Sequence, residues 1–224
     1  NGALVSIEPK SGDILALVGG VDYKKSQYNR ATQGKRQPGS AFKPLIYQVA
    51  VDLGYSGASQ LVDIARTYDY ELDGEEKKWR PKNYAKDYKG FITLREALVH
   101  SRNLATINLV TDIGLTTMRR ELSRYHIKNL PPDLSLALGS ITVSPLEFSY
   151  YYTILSNYGT EVEPILIRSV QNSYGEEIRY ENKKEEQTTP QQAYIMIDVM
   201  KDVVRKGSGR RARGSRRPSR SYAA

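Results

Sequence analysis

Residues 36–54 read Arg36-Gln37-Pro38-Gly39-Ser40-Ala41-Phe42-Lys43-Pro44, then Leu45-Ile46-Tyr47-Gln48-Val49-Ala50-Val51-Asp52-Leu53-Gly54. Phe42, Leu45, Ile46, Val49, Ala50 and Leu53 fall at i, i+3, i+4, i+7, i+8 and i+11, and Gly54 closes the run. The pattern predicts a core helix with Ser40 at its N-terminal turn. Pro44 has no amide to reach the Ser40 carbonyl, so an irregular opening turn is expected. Positions three apart share a helix face, which brings Lys43 toward Ser40, and a helix N-terminus favours negative charge on the serine oxygen. A neutral lysine there can activate the hydroxyl as a nucleophile. At ordinary Ser and Lys frequencies, S-x-x-K turns up by chance about once in a chain of this length. The pair therefore needs support from elsewhere in the sequence.

Outward from this helix, residues 3–7 and 14–18 flank the turn Pro9-Lys10-Ser11-Gly12-Asp13 and predict a β-hairpin. Capping boxes start three further helices: Thr93 with Glu96, Ser144 with Glu147, and Thr189 with Gln192. The first runs to about His100, the second through Asn157 and the third to Gly207. A fourth, Asn103–Ile113, is stopped by Gly114. Residues 165–170 and 177–180, with Ser173-Tyr174-Gly175 between them, predict a second hairpin. The charged stretch 181–187 reads as a solvated loop.

The 224 residues carry 33 Lys and Arg against 25 Asp and Glu, a formal charge of +8, and no cysteine. A basic chain suggests a nucleic-acid binder, but eight of its basic residues and no acid lie in 205–224. Taking those eight away leaves 25 of each sign in residues 1–204, so the body is neutral and no specific nucleic-acid partner is expected. Zero Cys removes disulfides, thiolate metal sites and thiol nucleophiles. His100 and His126 form no metal-binding pair, and neither metal nor cofactor is expected. Asp69, Glu71, Asp73 and Gly74 partly mimic a calcium loop, but Arg80 stands where its last ligand belongs. Gly207-x-Gly209-x-x-Ala212 is a weak dinucleotide pattern that follows a helix, not a strand. No run of 18 apolar residues occurs. With Asn1 at its start and a strand immediately after, the chain reads as a piece of a longer protein.

Ser101-Arg102-Asn103 lies between two predicted helices, where a side chain can face a cleft. A second serine and a carboxamide suit an amide-handling Ser/Lys site, one relaying a proton and the other holding a peptide group. Equally, Ser101 and Asn103 can cap the helix that begins there.

Taken in order, these stretches resemble the transpeptidase domain of class A penicillin-binding proteins, whose S-x-x-K, S-x-N and K-T-G motifs also occur in serine β-lactamases. The likeness extends to 29–33 (Asn29-Arg30-Ala31-Thr32-Gln33), 79–84 (Trp79-Arg80-Pro81-Lys82-Asn83-Tyr84) and 94–98 before the S-x-N. It continues through Leu138-Gly139-Ser140, 143–147 and Asn157-Tyr158-Gly159. Asp63-Ile64-Ala65 departs from the family's D-x-P. The resemblance implies an α+β fold, helices packed on a central antiparallel sheet, over a partial transpeptidase domain at 1–213 with a basic non-family tail at 214–224. It implies Ser40 as nucleophile toward the D-Ala-D-Ala carbonyl of a peptidoglycan stem peptide or a β-lactam, and Lys43 as proton acceptor. Ser101 would shuttle the proton, Asn103 would bind the substrate amide, and the Ser40 N–H would donate to the oxyanion. The parent protein is then expected at the extracytoplasmic face of the bacterial cytoplasmic membrane, anchored there and carrying a glycosyltransferase domain.

The third motif is missing. After the S-x-N only Lys206-Gly207-Ser208-Gly209 comes near Lys-[Thr/Ser]-Gly, in the wrong order, while Lys10-Ser11-Gly12 fits the pattern but precedes Ser40 in the first hairpin turn, so a truncated C-terminus with impaired activity is expected. A base near pH 7 needs the Lys43 pKa to fall by about three units, roughly 4 kcal/mol supplied by burial and nearby cations. Losing one of two oxyanion donors costs about a hundred- to a thousand-fold in rate. The alternatives are a β-lactamase relative, which would need a water-activating group not evident after Ser101, and a non-catalytic module binding β-lactam or peptidoglycan.

Overall fold

The computed structural model describes residues 2–72 and 75–215. Strands β1 (Leu4–Ile7) and β2 (Ile14–Val18) form the first predicted hairpin, with a register shift at Ser6/Ile7. A 3-10 turn, Gly39–Phe42, leads into α1 (Lys43–Asp52). The irregular opening is the one Pro44 dictates: the Lys43 N–H, not that of residue 44, bonds the Ser40 carbonyl. The sequence shows one apolar face, yet α1 is buried on all sides from Lys43 to Val51 because α-helices surround it.

Strand β3 (Gln60–Asp63) is followed by the hairpin β4 (Tyr68–Leu72) and β5 (Glu75–Trp79), and then by β6 (Gly90–Thr93), which returns to pair antiparallel with β3. Asp73 and Gly74 of the calcium-like run lie outside the described residues. The Thr93 hydroxyl accepts from the Glu96 N–H and starts α2 (Leu94–Val99); α3 (Asn103–Ile113) ends at Gly114 as expected. Next comes α4 (Leu115–Arg124), absent from the sequence reading, whose buried residues are Met118 and Leu122. A 3-10 turn, Leu134–Leu138, precedes the Ser144 capping box. The single helix expected from that box is two, α5 (Pro145–Tyr151) and α6 (Thr153–Ser156), broken at Tyr152.

Strand β7 (Thr160–Val162) precedes the hairpin β8 (Ser169–Gln171) and β9 (Glu177–Arg179), shorter than predicted. The expected solvated loop over 181–187 is corrected: β10 (Lys184–Glu186) lies in it, exposed but paired antiparallel with β7. The Thr189–Gln192 capping box is complete and starts α7 (Pro190–Lys206), which packs on α1, α2 and α6. The glycines of the dinucleotide-like pattern end α7: the Gly207 and Gly209 N–H groups bond the Val203 carbonyl, and the Ser208 N–H bonds that of Val99. A last 3-10 turn spans Arg210–Ser215; of the basic tail, 216–224 lie outside the described residues.

Helices and antiparallel ladders make this the α+β class that the sequence implied. Among the described residues the strands form five separate two-stranded antiparallel ladders, and α5 packs on β1. The main core lies among α1, α2, α3, α4 and α7, with Phe42, Ile46, Val49, Leu98, Ile107, Leu122, Met196 and Val199 buried together. None of the described helices is long and apolar enough to cross a membrane.

Candidate active site

Ser40 projects from the 3-10 turn at the head of α1. Gly39 takes φ +57°, and its N–H bonds the carbonyl of Gly139, which sits at φ +72°. A Cβ at 139 would lie 2.1 Å from the Gly39 oxygen, so the Leu138-Gly139-Ser140 stretch has glycine where two backbones touch. On the far side, the Tyr152 hydroxyl donates to the Ala41 carbonyl from the break between α5 and α6. The serine turn is thus held by Gly139 and Tyr152, while Ser40 itself stays exposed. Its hydroxyl and its N–H take no hydrogen-bond partner among the described residues.

Lys43 begins the regular helix and is fully buried. Its Nζ donates to Ser101 O at 2.7 Å, Ser101 Oγ at 3.2 Å and Asn103 Oδ1 at 2.8 Å. Burial lowers the Lys43 pKa to about 8, so about a tenth of the amine is neutral at pH 7. Three acceptors satisfy the three N–H bonds of the ammonium. Once the amine is neutral, the Ser101 hydroxyl can reverse and donate to its lone pair, which makes Ser101 a two-way proton contact. The structure brings Lys43, Ser101 and Asn103 into direct contact. Ser40 lies one turn away, and none of Lys43's hydrogen bonds reaches it.

Ser101 has left-handed backbone (φ +52°) and Arg102 is extended. Asn103 is the first residue of α3, and its Nδ2 donates to the Lys82 carbonyl. This contact brings the Trp79–Tyr84 stretch against the site. Arg102, between the two, points away and pairs with Asp63 and Asp87. His100 is exposed. Asp63, Asn83, Arg102, Gly139 and Tyr152 were not singled out from sequence as parts of the site. The departure from D-x-P lies at Ala65, while the buried partner of Arg102 is Asp63.

A serine on a 3-10 turn, a buried lysine one turn into the same helix and an S-x-N loop against it, all on an α+β frame, define the Ser/Lys class of serine acyltransferase folds. The chain belongs to the penicillin-binding protein transpeptidase domain family, whose family model matches residues 2–224. It is 38% identical over 212 residues to penicillin-binding protein 1A of Aquifex aeolicus, covering 94% of this chain and 29% of that one. Against penicillin-binding protein 1A of Neisseria flavescens the figures are 37% over 222 residues, 94% and 27%. The crystal structure of penicillin-binding protein 1A from Haemophilus influenzae superposes with a TM-score of 0.85 at 26% identity, covering 97% of this chain and 38% of that one. Penicillin-binding protein A of M. tuberculosis, solved as an imipenem acyl-enzyme complex, shares the fold at TM-score 0.76 and 23% identity, over 91% of this chain and 57% of that one. The chain thus spans under a third of the length of these sequence relatives.

Proposed function

We propose that this domain is a D,D-transpeptidase module that cross-links peptidoglycan stem peptides and is acylated by β-lactams. Ser40 Oγ attacks the penultimate D-Ala carbonyl while its proton passes to neutral Lys43. The Ser40 N–H donates to the developing oxyanion. As the C–N bond to the terminal D-Ala breaks, Ser101 relays the proton from Lys43 to the departing amine, and Asn103 holds the peptide amide. An amine of a neighbouring stem peptide then attacks the ester, forms the cross-link and regenerates Ser40. The observation that carries this reading is the buried Lys43 amine, held by Ser101 and Asn103 one turn from an exposed serine that has no hydrogen-bond partner for its hydroxyl among the described residues. The parent protein acts outside the cytoplasmic membrane, where stem peptides are, and carries a membrane anchor and a glycosyltransferase domain.

No Lys-[Thr/Ser]-Gly follows the S-x-N in the 224 residues, and Lys10-Ser11-Gly12, which fits the pattern, lies in the first hairpin turn ahead of Ser40, so this chain alone is expected to acylate slowly. Incubation with a labelled penicillin for hours, followed by mass spectrometry, accumulates even a slow adduct. The expected result is one acyl group on Ser40 that Ser40→Ala abolishes. No adduct, or one elsewhere, overturns the proposal, and an adduct that turns over within minutes favours a β-lactamase instead.

A further inference from the structure

The S-x-N loop is built around its middle residue. With Arg102 extended, successive side chains leave the chain in opposite directions. Ser101 and Asn103 face Lys43, and the Arg102 guanidinium enters a pocket on the other side. Its side chain is 8% exposed and that of Asp63 is 0% exposed. Arg102 Nε and Nη2 both donate to Asp63 Oδ2, at 2.8 and 2.5 Å. Nη1 donates to Asp87 Oδ1 at 2.6 Å, and Nη2 to the Asp87 carbonyl at 2.8 Å. Asn83 Nδ2 bonds Asp63 Oδ1 and the Asp87 carbonyl, and its Oδ1 accepts from the Leu104 N–H in the first turn of α3. The end of β3, the 83–89 segment and the start of α3 are thereby tied to one side chain.

Buried ion networks of this kind are seldom the most stable filling of a core, since well-packed apolar residues of similar volume often do as well or better. What this one adds is a fixed loop geometry. Ser101 has to be held in left-handed backbone, which a non-glycine residue rarely adopts unaided. We infer that Asp63 and Arg102, assisted by Asp87, are positioning residues that hold Ser101 in its left-handed turn and so keep the three acceptors around the Lys43 amine. The consequence for chemistry rests on the transpeptidase reading, but the geometry does not.

The test reads Lys43 directly. In a chain labelled with 13Cε-lysine, an NMR titration gives the Lys43 pKa, its signal assigned by its loss in Lys43→Arg. Freeing the loop lets water reach the amine, so Arg102→Met and Asp63→Asn both raise the Lys43 pKa, by about one unit or more, toward that of free lysine. A direct field effect would split them, because removing a cation raises an amine pKa and removing a carboxylate lowers it. Asp87→Asn, at a half-exposed position, gives a smaller upward shift. The double variant Asp63→Leu/Arg102→Met, with no charge left unpaired, is expected to unfold thermally near the wild-type temperature and still shift Lys43; it decides the matter if either single variant fails to fold. Lys43 titrating within about 0.2 units of wild type in the folded variants overturns the inference, as do opposite shifts. In parallel, labelled-penicillin acylation slows about tenfold in Arg102→Met, and its pH profile moves upward. A wild-type chain that takes no label overturns the transpeptidase reading alone, and the titration still decides the positioning role.

Discussion

The two ends of α1 solve the same electrostatic problem with opposite charges. At its start Lys43 is buried, its pKa lowered by desolvation, and ringed by acceptors from Ser101 and Asn103. At its end burial raises the Asp52 pKa, and the carboxylate is ringed by donors: the Tyr125 and Thr188 hydroxyls and the Gln48 carboxamide. Each group is pushed toward neutrality and each has hydrogen bonds of the matching sense. Their neighbours differ. Beside Lys43 stands an exposed serine whose hydroxyl and N–H are uncommitted among the described residues, and a second serine able to donate or accept. Asp52's partners are instead donors that moor α1 to the end of α4 and to the start of α7. A buried, perturbed ionisable group is therefore as good a mooring as a catalyst, and access to a reacting atom is what separates them.

The comparison breaks most visibly at Ser40. Ser40→Ala is expected to abolish acylation while shifting the unfolding free energy by no more than about 0.5 kcal/mol, since the residue is exposed. Asp52→Ala should do the reverse. Labelling per folded molecule is unchanged, and denaturant unfolding shows a loss of about 1–3 kcal/mol as two hydroxyls lose their acceptor. If Asp52→Ala abolishes labelling of folded chain, the two ends are not distinct.

Next in size, Lys43→Met should slow acylation by about a hundred- to ten-thousand-fold. It should also change the pH dependence of stability. The folded pKa near 8 lies below the unfolded value, so the unfolded chain binds the extra proton between them. Stability in the wild type therefore rises by about 3 kcal/mol from pH 8 to above 10 and is lost again as pH falls through 8. Urea titrations of Lys43→Met should lack that rise. Asp52 works the other way: its raised pKa favours folding below the ordinary carboxyl range, and this support is lost as pH rises through the folded value.

A smaller effect is expected of Gly139→Ala, which puts a Cβ against the Gly39 carbonyl at positive φ. A cost of about 1–3 kcal/mol and an acylation rate about tenfold lower would show that the glycine contact sets the serine turn. Smallest of all, Arg168→Ala removes an exposed ion pair to Asp13. It should leave the thermal unfolding midpoint nearly unchanged and leave labelling alone.

Much of the helical frame was legible because its signals are local. The complete Ser144 and Thr189 capping boxes, the Asn103–Ile113 run and the proline-broken start of α1 each need only a few neighbouring residues. What escaped depends on distant partners or sparse stripes. Gln60–Asp63 and Gly90–Thr93 are four-residue strands that pair across almost thirty positions. Lys184–Glu186 is all charge and becomes a strand only because β7 lies beside it. In α4 the stripe Leu115, Met118, Leu122 was present, thinly spaced among Arg, Glu and Thr. Around the site, the motif residues Ser40, Lys43, Ser101 and Asn103 could be named from spacing and family likeness. Asp63 could not, because an acid that answers an arginine thirty-nine residues away leaves no pattern in the sequence.

Pro44 has a further effect, on cooperativity. With no amide at position 44, no i to i−4 bond can tie the 3-10 turn into the helix at the Ser40 carbonyl. The turn can then open without unwinding the buried residues behind it. In native-state hydrogen exchange this marks a boundary, with amides at 40–42 exchanging through local opening and those from Ile46 onward waiting for global unfolding. Ser40 would thus move on the scale of its own turn, within the limits set by the Gly139 and Tyr152 contacts, on a helix that opens only when the whole domain does.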